Sequence, residues 1–170
     1  HAVVSLKLDF DGGITVLTGA SDIGQGSSTL IAQTVAEVLG VGLERLTVVA
    51  NDSRVTPKDN GSYSSRVSFM VGNAAINAAR ALQRALIDAA ARKLAVADAE
   101  VVCDGEDYAV TGTDRRLSYK EAVAAALEDA GTLMVKGTWS TPVETQGGKF
   151  KGAAVGSSAG FSYAAQVVEV

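Results

Sequence analysis

The run Val4-Ser5-Leu6-Lys7-Leu8-Asp9-Phe10-Asp11-Gly12-Gly13-Ile14-Thr15-Val16-Leu17-Thr18 decides the fold class. Val4, Leu6, Leu8 and Phe10 alternate with polar residues, the period-two signature of a strand with one buried face. Asp11-Gly12-Gly13 is a turn signal, and Ile14 to Thr18 returns as the second strand of a hairpin. A chain that opens on a hairpin and then mixes strands with helices, without strict alternation, predicts an α+β fold. The expected architecture is a mixed, mostly antiparallel sheet packed with one long helix and two shorter ones.

The rest of the chain fits this frame. Beyond the hairpin lies the glycine-rich loop Gly19-Ala20-Ser21-Asp22-Ile23-Gly24-Gln25-Gly26. Ser27 or Ser28 is positioned to cap a helix with Leu30, Ile31, Val35, Val38 and Leu39 on one face, ended by Gly40. Leu43 to Ala50 reads as a third strand, and residues 51–65 as a polar loop. A long helix is expected from about Ser65 to Leu94, with Gly72 marking a bend or a close approach. Val101 to Cys103 and Tyr108 to Val110 flank a second hairpin turn. Ser118-Tyr119-Lys120-Glu121 has capping-box spacing for a short helix. Leu133 to Ser140 and Phe161 to Val170 read as strands, joined by a glycine-rich connection from Gly147 to Gly160.

Composition excludes several functions. With 170 residues, 47% hydrophobic, and a net charge of −4, the chain has a sizeable core and no nucleic-acid footprint. It has 1 Cys and 1 His, so it cannot build a zinc or iron–sulfur site or a histidine-based triad from its own residues. Any metal would have to arrive already chelated. No apolar run reaches the roughly 18 residues that span a bilayer, and the cytoplasm is the expected location. Beginning at His1 and ending inside a strand pattern, the chain reads as one domain, residues 1–170, of a larger subunit.

Two loops carry candidate chemistry. Gly24-Gln25-Gly26, between a strand and a helix, permits close backbone approach and offers N–H groups to a phosphate or a pterin edge. A plain turn and cap is the structural alternative. Ser62, Tyr63, Ser64 and Ser65, just before the long helix, offer neutral hydroxyls, unless they serve only as caps. Cys103 and Trp139 read as packing residues, as does Tyr163.

Asp22-Ile23-Gly24-Gln25-Gly26-Ser27-Ser28-Thr29, followed by Ala32-Gln33 and Ala36-Glu37-Val38-Leu39-Gly40, resembles the molybdopterin-binding domain of the xanthine dehydrogenase and aldehyde oxidase family. So do Thr56-Pro57, Gly61-Ser62, Ser64-Ser65-Arg66 and Gly72-Asn73-Ala74, in the family's order. The run from Thr56 to Arg66, together with Thr145-Gln146-Gly147-Gly148 and Gly160 to Glu169, looks most like the 4-hydroxybenzoyl-CoA reductase branch. The resemblance implies a molybdenum–molybdopterin cofactor, in its cytosine dinucleotide form. By position it assigns cofactor contacts to Gly24, Gln25, Gly26, Ser62, Tyr63, Ser64 and Ser65. It further implies iron–sulfur and FAD partner subunits and an aromatic CoA thioester as substrate. A xanthine- or aldehyde-type hydroxylase and a non-catalytic interaction module are the alternatives. The family's glycine-phenylalanine-glycine loop and its glycine-glutamate motif, which carries the base, are not found. No catalytic residue or metal ligand is therefore assigned, and this piece alone is expected to be inactive.

Overall fold

A computed structural model describes residues 1–128, 131–142 and 165–169. Strands β1 (Ala2–Leu8) and β2 (Ile14–Thr18) form the expected hairpin, with Leu6 opposite Val16 and Leu8 opposite Ile14. The alternation works as read: Ala2, Val4, Leu6, Leu8, Ile14 and Val16 are all buried. Phe10, the last apolar member of the pattern, lies beyond the strand and is 77% exposed. Helix α1 (Ser27–Leu39) leads to a 3-10 turn, Leu43–Arg45, and then to β3 (Leu46–Ala50), shorter than expected from the sequence. β3 pairs parallel with β2, while β7 (Leu133–Trp139) pairs antiparallel with β1, giving the mixed sheet order β3-β2-β1-β7.

The long helix α2 (Gly72–Leu94) is preceded by a π-helical turn at Val67–Val71, so Gly72 marks the junction between the two. A Cβ on Gly72 would meet nothing within 4 Å, which excludes a close approach there. The close approach occurs at Gly137 of β7. A Cβ at that position would lie 2.1 Å from the Ala74 carbonyl oxygen and 2.2 Å from the Ala78 nitrogen. Ala74, Ala75, Ala78 and Ala79 are fully buried, which lets α2 rest directly on β7 and β1 with α1 and α3 (Tyr119–Glu128) at its sides.

A second sheet, β4-β5-β6, contains β4 (Val101–Cys103), β5 (Asp107–Val110) and the short β6 (Arg116–Ser118), whose three residues are too few to show a period. The capping box forms as read: the Glu121 carboxylate accepts the Ser118 N–H at 2.8 Å, and the Ser118 hydroxyl accepts the Glu121 N–H at 3.4 Å. Cys103 packs partly buried against the core, and Trp139 does so edge-on to Phe69 at 4.5 Å. The strand expected over Phe161 to Val170 is not formed at residues 165–169, which pair with no neighbour among the described residues and leave Val167 96% exposed. The Gly147 to Gly160 connection and Tyr163 lie outside the described residues.

Tyr119 ties α3 to the first hairpin. Its buried hydroxyl donates to the Gly12 carbonyl at 2.9 Å, and the Arg45 guanidinium stacks 4.7 Å over its ring. Burial pushes the phenol from 10.0 up to about 12, with Arg45 pulling the other way. Burial also raises the phenol of Tyr108. A folded-state value above the unfolded one means that stability is intact below pH 10.0 and is lost as pH rises through about 12. Tyr119→Phe is expected to flatten that alkaline loss in thermal melts, while costing about 1 kcal/mol at neutral pH for the lost hydrogen bond. An unchanged alkaline slope would remove Tyr119 as its source.

Candidate functional site

The first loop is organised around one carbonyl. The Ser21 oxygen accepts the Ser62 hydroxyl at 2.6 Å, the Gln25 amide at 3.1 Å and the Ser27 hydroxyl at 3.2 Å. Gln25 also accepts the Ile23 N–H at 2.7 Å, so both ends of its side chain shape the loop itself. Gly26, with φ 76°, occupies the cap position of α1, and neither Ser27 nor Ser28 caps the helix. Asp22 takes that role: its carboxylate accepts the N–H groups of Gly24 at 3.0 Å, Gly26 at 3.3 Å and Ser28 at 3.2 Å. Of the loop N–H groups read as donors to a phosphate or a pterin edge, those of Gly24 and Gly26 are thus already engaged by a carboxylate from the same loop. A charged acceptor at a helix start serves both the unpaired N–H groups and the helix dipole.

Those N–H bonds, led by that of Gly24, hold the Asp22 carboxyl below its ordinary 3.8. A depressed value contributes stability that is present above that pH and lost as pH falls through the folded-state value. Asp22→Ala is expected to lower the melting temperature at pH 7, with the gap to the parent closing as pH falls below about 4. A gap that persists in acid would show that charge on Asp22 is irrelevant to the cap.

The second loop is held by a buried ion pair. Arg66 and Asp59, with side chains 6% and 5% exposed, meet at 2.7 Å. Arg66 also donates to the carbonyls of Gly61 at 2.9 Å and His1 at 3.3 Å, and Asp59 accepts the Gly61 N–H at 2.8 Å. Gly19 admits this loop because a Cβ there would sit 2.2 Å from the Pro57 carbonyl oxygen. Ser64 and Ser65 are both left-handed, at φ 52° and 51°.

Through the Ser62–Ser21 bond the two loops face one cavity of about 410 Å³. Gln25, Ser62, Tyr63 and Ser65 line it, together with Ile23 and the buried Arg66. Gly24, Gly26 and Ser64 are not part of its wall. A Cβ on Gly24 or Gly26 would meet nothing within 4 Å, so open space lies against that stretch of backbone. Among the described residues, the hydroxyls of Tyr63, Ser64 and Ser65 make no hydrogen bond, and no group of His, Cys, Asp or Glu is arranged to hold a metal. Arg66 presents no net charge to the cavity, since Asp59 neutralises it. Neutral donors and acceptors around an open cavity suit the edge of a heteroaromatic ring.

A family model described as the molybdopterin cofactor-binding domain matches residues 1–170. The chain belongs to that family. It is similar to the 6-hydroxypseudooxynicotine dehydrogenase complex subunit gamma of Paenarthrobacter nicotinovorans, at 36% identity over 67% of the chain and 14% of that protein. It is also similar to the putative xanthine dehydrogenase molybdenum-binding subunit of Escherichia coli, at 40% identity over 51% of the chain and 12% of that protein. Quinoline 2-oxidoreductase from Pseudomonas putida 86 shares the fold with a TM-score of 0.71 and 28% identity over 82% of this chain and 19% of that one. The chain therefore spans only a small part of the proteins it matches.

For a molybdopterin cofactor-binding domain, the unpaired hydroxyls of Tyr63 and Ser65 in the cavity wall are of a kind that fits the group its family is named for. Sequence reading missed three residues that build the site. Asp22 was legible as an aspartate placed to cap residues two and four positions on. Asp59 and Arg66 stand in the quoted motif, but nothing local shows that they pair or that they are buried. No described helix is long and apolar enough to cross a membrane.

Proposed function

We propose that this domain contributes one wall of the molybdopterin site in the molybdenum-binding subunit of a xanthine dehydrogenase-type oxidoreductase. The observation that carries the reading is the convergence of the two motif loops on one cavity through the Ser62–Ser21 hydrogen bond. Tyr63 and Ser65 offer unpaired hydroxyls to the pterin edge, with Ser64 between them in the chain, and Gln25 shapes the glycine loop that leads to it. Ile23 and Tyr63, 74% and 56% exposed, form an apolar rim that is covered once cofactor and the rest of the subunit are in place. When bound, the cofactor supplies two-electron redox chemistry, and this domain supplies its orientation.

The reaction we propose is reductive removal of a phenolic hydroxyl from an aromatic CoA thioester, as in 4-hydroxybenzoyl-CoA reductase. The ring takes up an electron pair and two protons, and the hydroxyl leaves as water. The run from Thr56 to Arg66 supports this branch. Electrons would come from partner iron–sulfur and FAD subunits, and the cofactor would carry a cytosine nucleotide. A second reading, oxidation of a heterocycle or aldehyde, is favoured by the relatives named for xanthine dehydrogenase and quinoline 2-oxidoreductase.

The test is the complete subunit purified from the cytosol with its partners. Molybdenum and cytosine nucleotide per subunit are measured, then turnover on 4-hydroxybenzoyl-CoA with a reductant and on xanthine, aldehyde and quinoline with an oxidant. Loading with turnover of the thioester is expected. Turnover of the other substrates alone would select the hydroxylase reading. A subunit lacking both molybdenum and pterin would leave a non-catalytic interaction module.

A further inference from the structure

The segment from Asp59 to Arg66 is closed into a ring by its own end residues. The Arg66 guanidinium reaches back to the Asp59 carboxylate and the Gly61 carbonyl with one nitrogen, and to the His1 carbonyl with the other. The Asp59 carboxylate in turn takes the Gly61 N–H, and the Arg66 N–H bonds the Tyr63 carbonyl at 3.1 Å. Inside the ring, two consecutive non-glycine residues, Ser64 and Ser65, hold a left-handed backbone. L-residues avoid that conformation, and two in succession persist only where the surroundings over-determine them. Immediately afterwards the helix begins with a π turn, Val67–Val71, rather than an α turn. Strained backbone and π turns concentrate at binding sites, because they aim side chains that regular structure would direct elsewhere.

Here both strained residues carry unpaired hydroxyls, and Ser65 faces the cavity. We infer that Asp59 and Arg66 are positioning residues that fix the loop Ser62-Tyr63-Ser64-Ser65, with Ser62, Tyr63 and Ser65 in the cavity wall, before the cofactor arrives. The pair does not touch the ligand with charge, since each partner neutralises the other out of water. Its contribution is pre-organisation: the ordering cost of the serine loop is met on folding rather than on binding. The planar guanidinium is required, because a single ammonium cannot span the carboxylate and two carbonyls in one fixed fork. This inference rests on the cofactor reading above and assigns a role to residues that the motif alone leaves undefined.

The test uses the complete subunit with its partners. Wild type, Asp59→Asn, Arg66→Lys, Arg66→Met and Val123→Ala are compared for molybdenum and pterin per subunit, before and after dialysis. Val123 is a core residue of α3 and serves as the stability control. Melting temperature and amide exchange at Gly61 are recorded on the same preparations. Arg66→Lys is expected to retain about tenfold less cofactor after dialysis, close to Arg66→Met, with Gly61 exchange accelerated. Asp59→Asn should follow them. Val123→Ala should keep its cofactor although it melts lower. Wild-type retention in Arg66→Lys, or equal cofactor loss in Val123→Ala, would reduce the pair to a stability element and overturn the inference alone. A wild-type subunit without molybdenum or pterin would overturn the functional reading, and this inference with it.

Discussion

Replacing Arg66 with methionine is expected to destabilise the chain by about 3–5 kcal/mol, the range for removing one partner of a buried ion pair. The magnitude follows from what remains. Asp59 is left 5% exposed without its guanidinium, and two backbone carbonyls lose their donor. The pair itself need not be strongly stabilising, because two ions were taken out of water to make it. The double variant Asp59→Leu/Arg66→Met should therefore regain much of what the single variant loses. Urea unfolding of the three variants against the parent checks this, with the midpoint as the readout. A single-variant loss below about 1 kcal/mol would mean that water reaches Asp59 after all.

The second large effect is expected at Gly137. Valine there would place its Cβ 2.1 Å from the Ala74 oxygen and 2.2 Å from the Ala78 nitrogen, both backbone atoms of α2. A side chain could rotate away from such a clash, but a helix backbone cannot. Either α2 lifts from β7 along its buried alanine face, or β7 bends out of register with β1. Overpacking of this kind costs about 3 kcal/mol or more, and even Gly137→Ala meets the same two atoms. In a chain of this size that is a fall of roughly 6–12 °C in melting temperature. Gly72→Ala is the contrast: its Cβ meets open space, and the helix gains a better helix former. If Gly137→Ala melted like the parent, the direct seating of α2 on β7 would be wrong.

The first hairpin, the second hairpin, the capping box at Ser118 and all three helices were legible because each signal is local. A period of two, a turn dipeptide or a cap spacing is fixed by neighbours a few residues away. The strand expected at the end of the chain shows the limit of that evidence. Residues 165–169 have a strand pattern and no described partner, and a pattern does not make a strand without a neighbour to bond. Likewise β6 was too short to announce itself, and takes its strand form by pairing with β5.

At the site the same division holds. The sequence by itself determined that Gly24 and Gly26 leave backbone open, that neutral hydroxyls cluster at Ser62 to Ser65, and that one Cys and one His cannot build a zinc or iron–sulfur site. Those are properties of residue type. It also carried the family, through two motifs in order. Only the tertiary structure decided that both loops face one cavity, joined across 41 positions of chain by the Ser62–Ser21 hydrogen bond. The same holds for Asp22 filling the helix start, and for Asp59 and Arg66 being buried together. A carboxylate or a guanidinium reads from sequence as a surface group, since most are. Whether it is buried and which donor or acceptor it meets depend on how distant segments pack around it. Packing is a non-local sum of many weak contacts that no local spacing encodes.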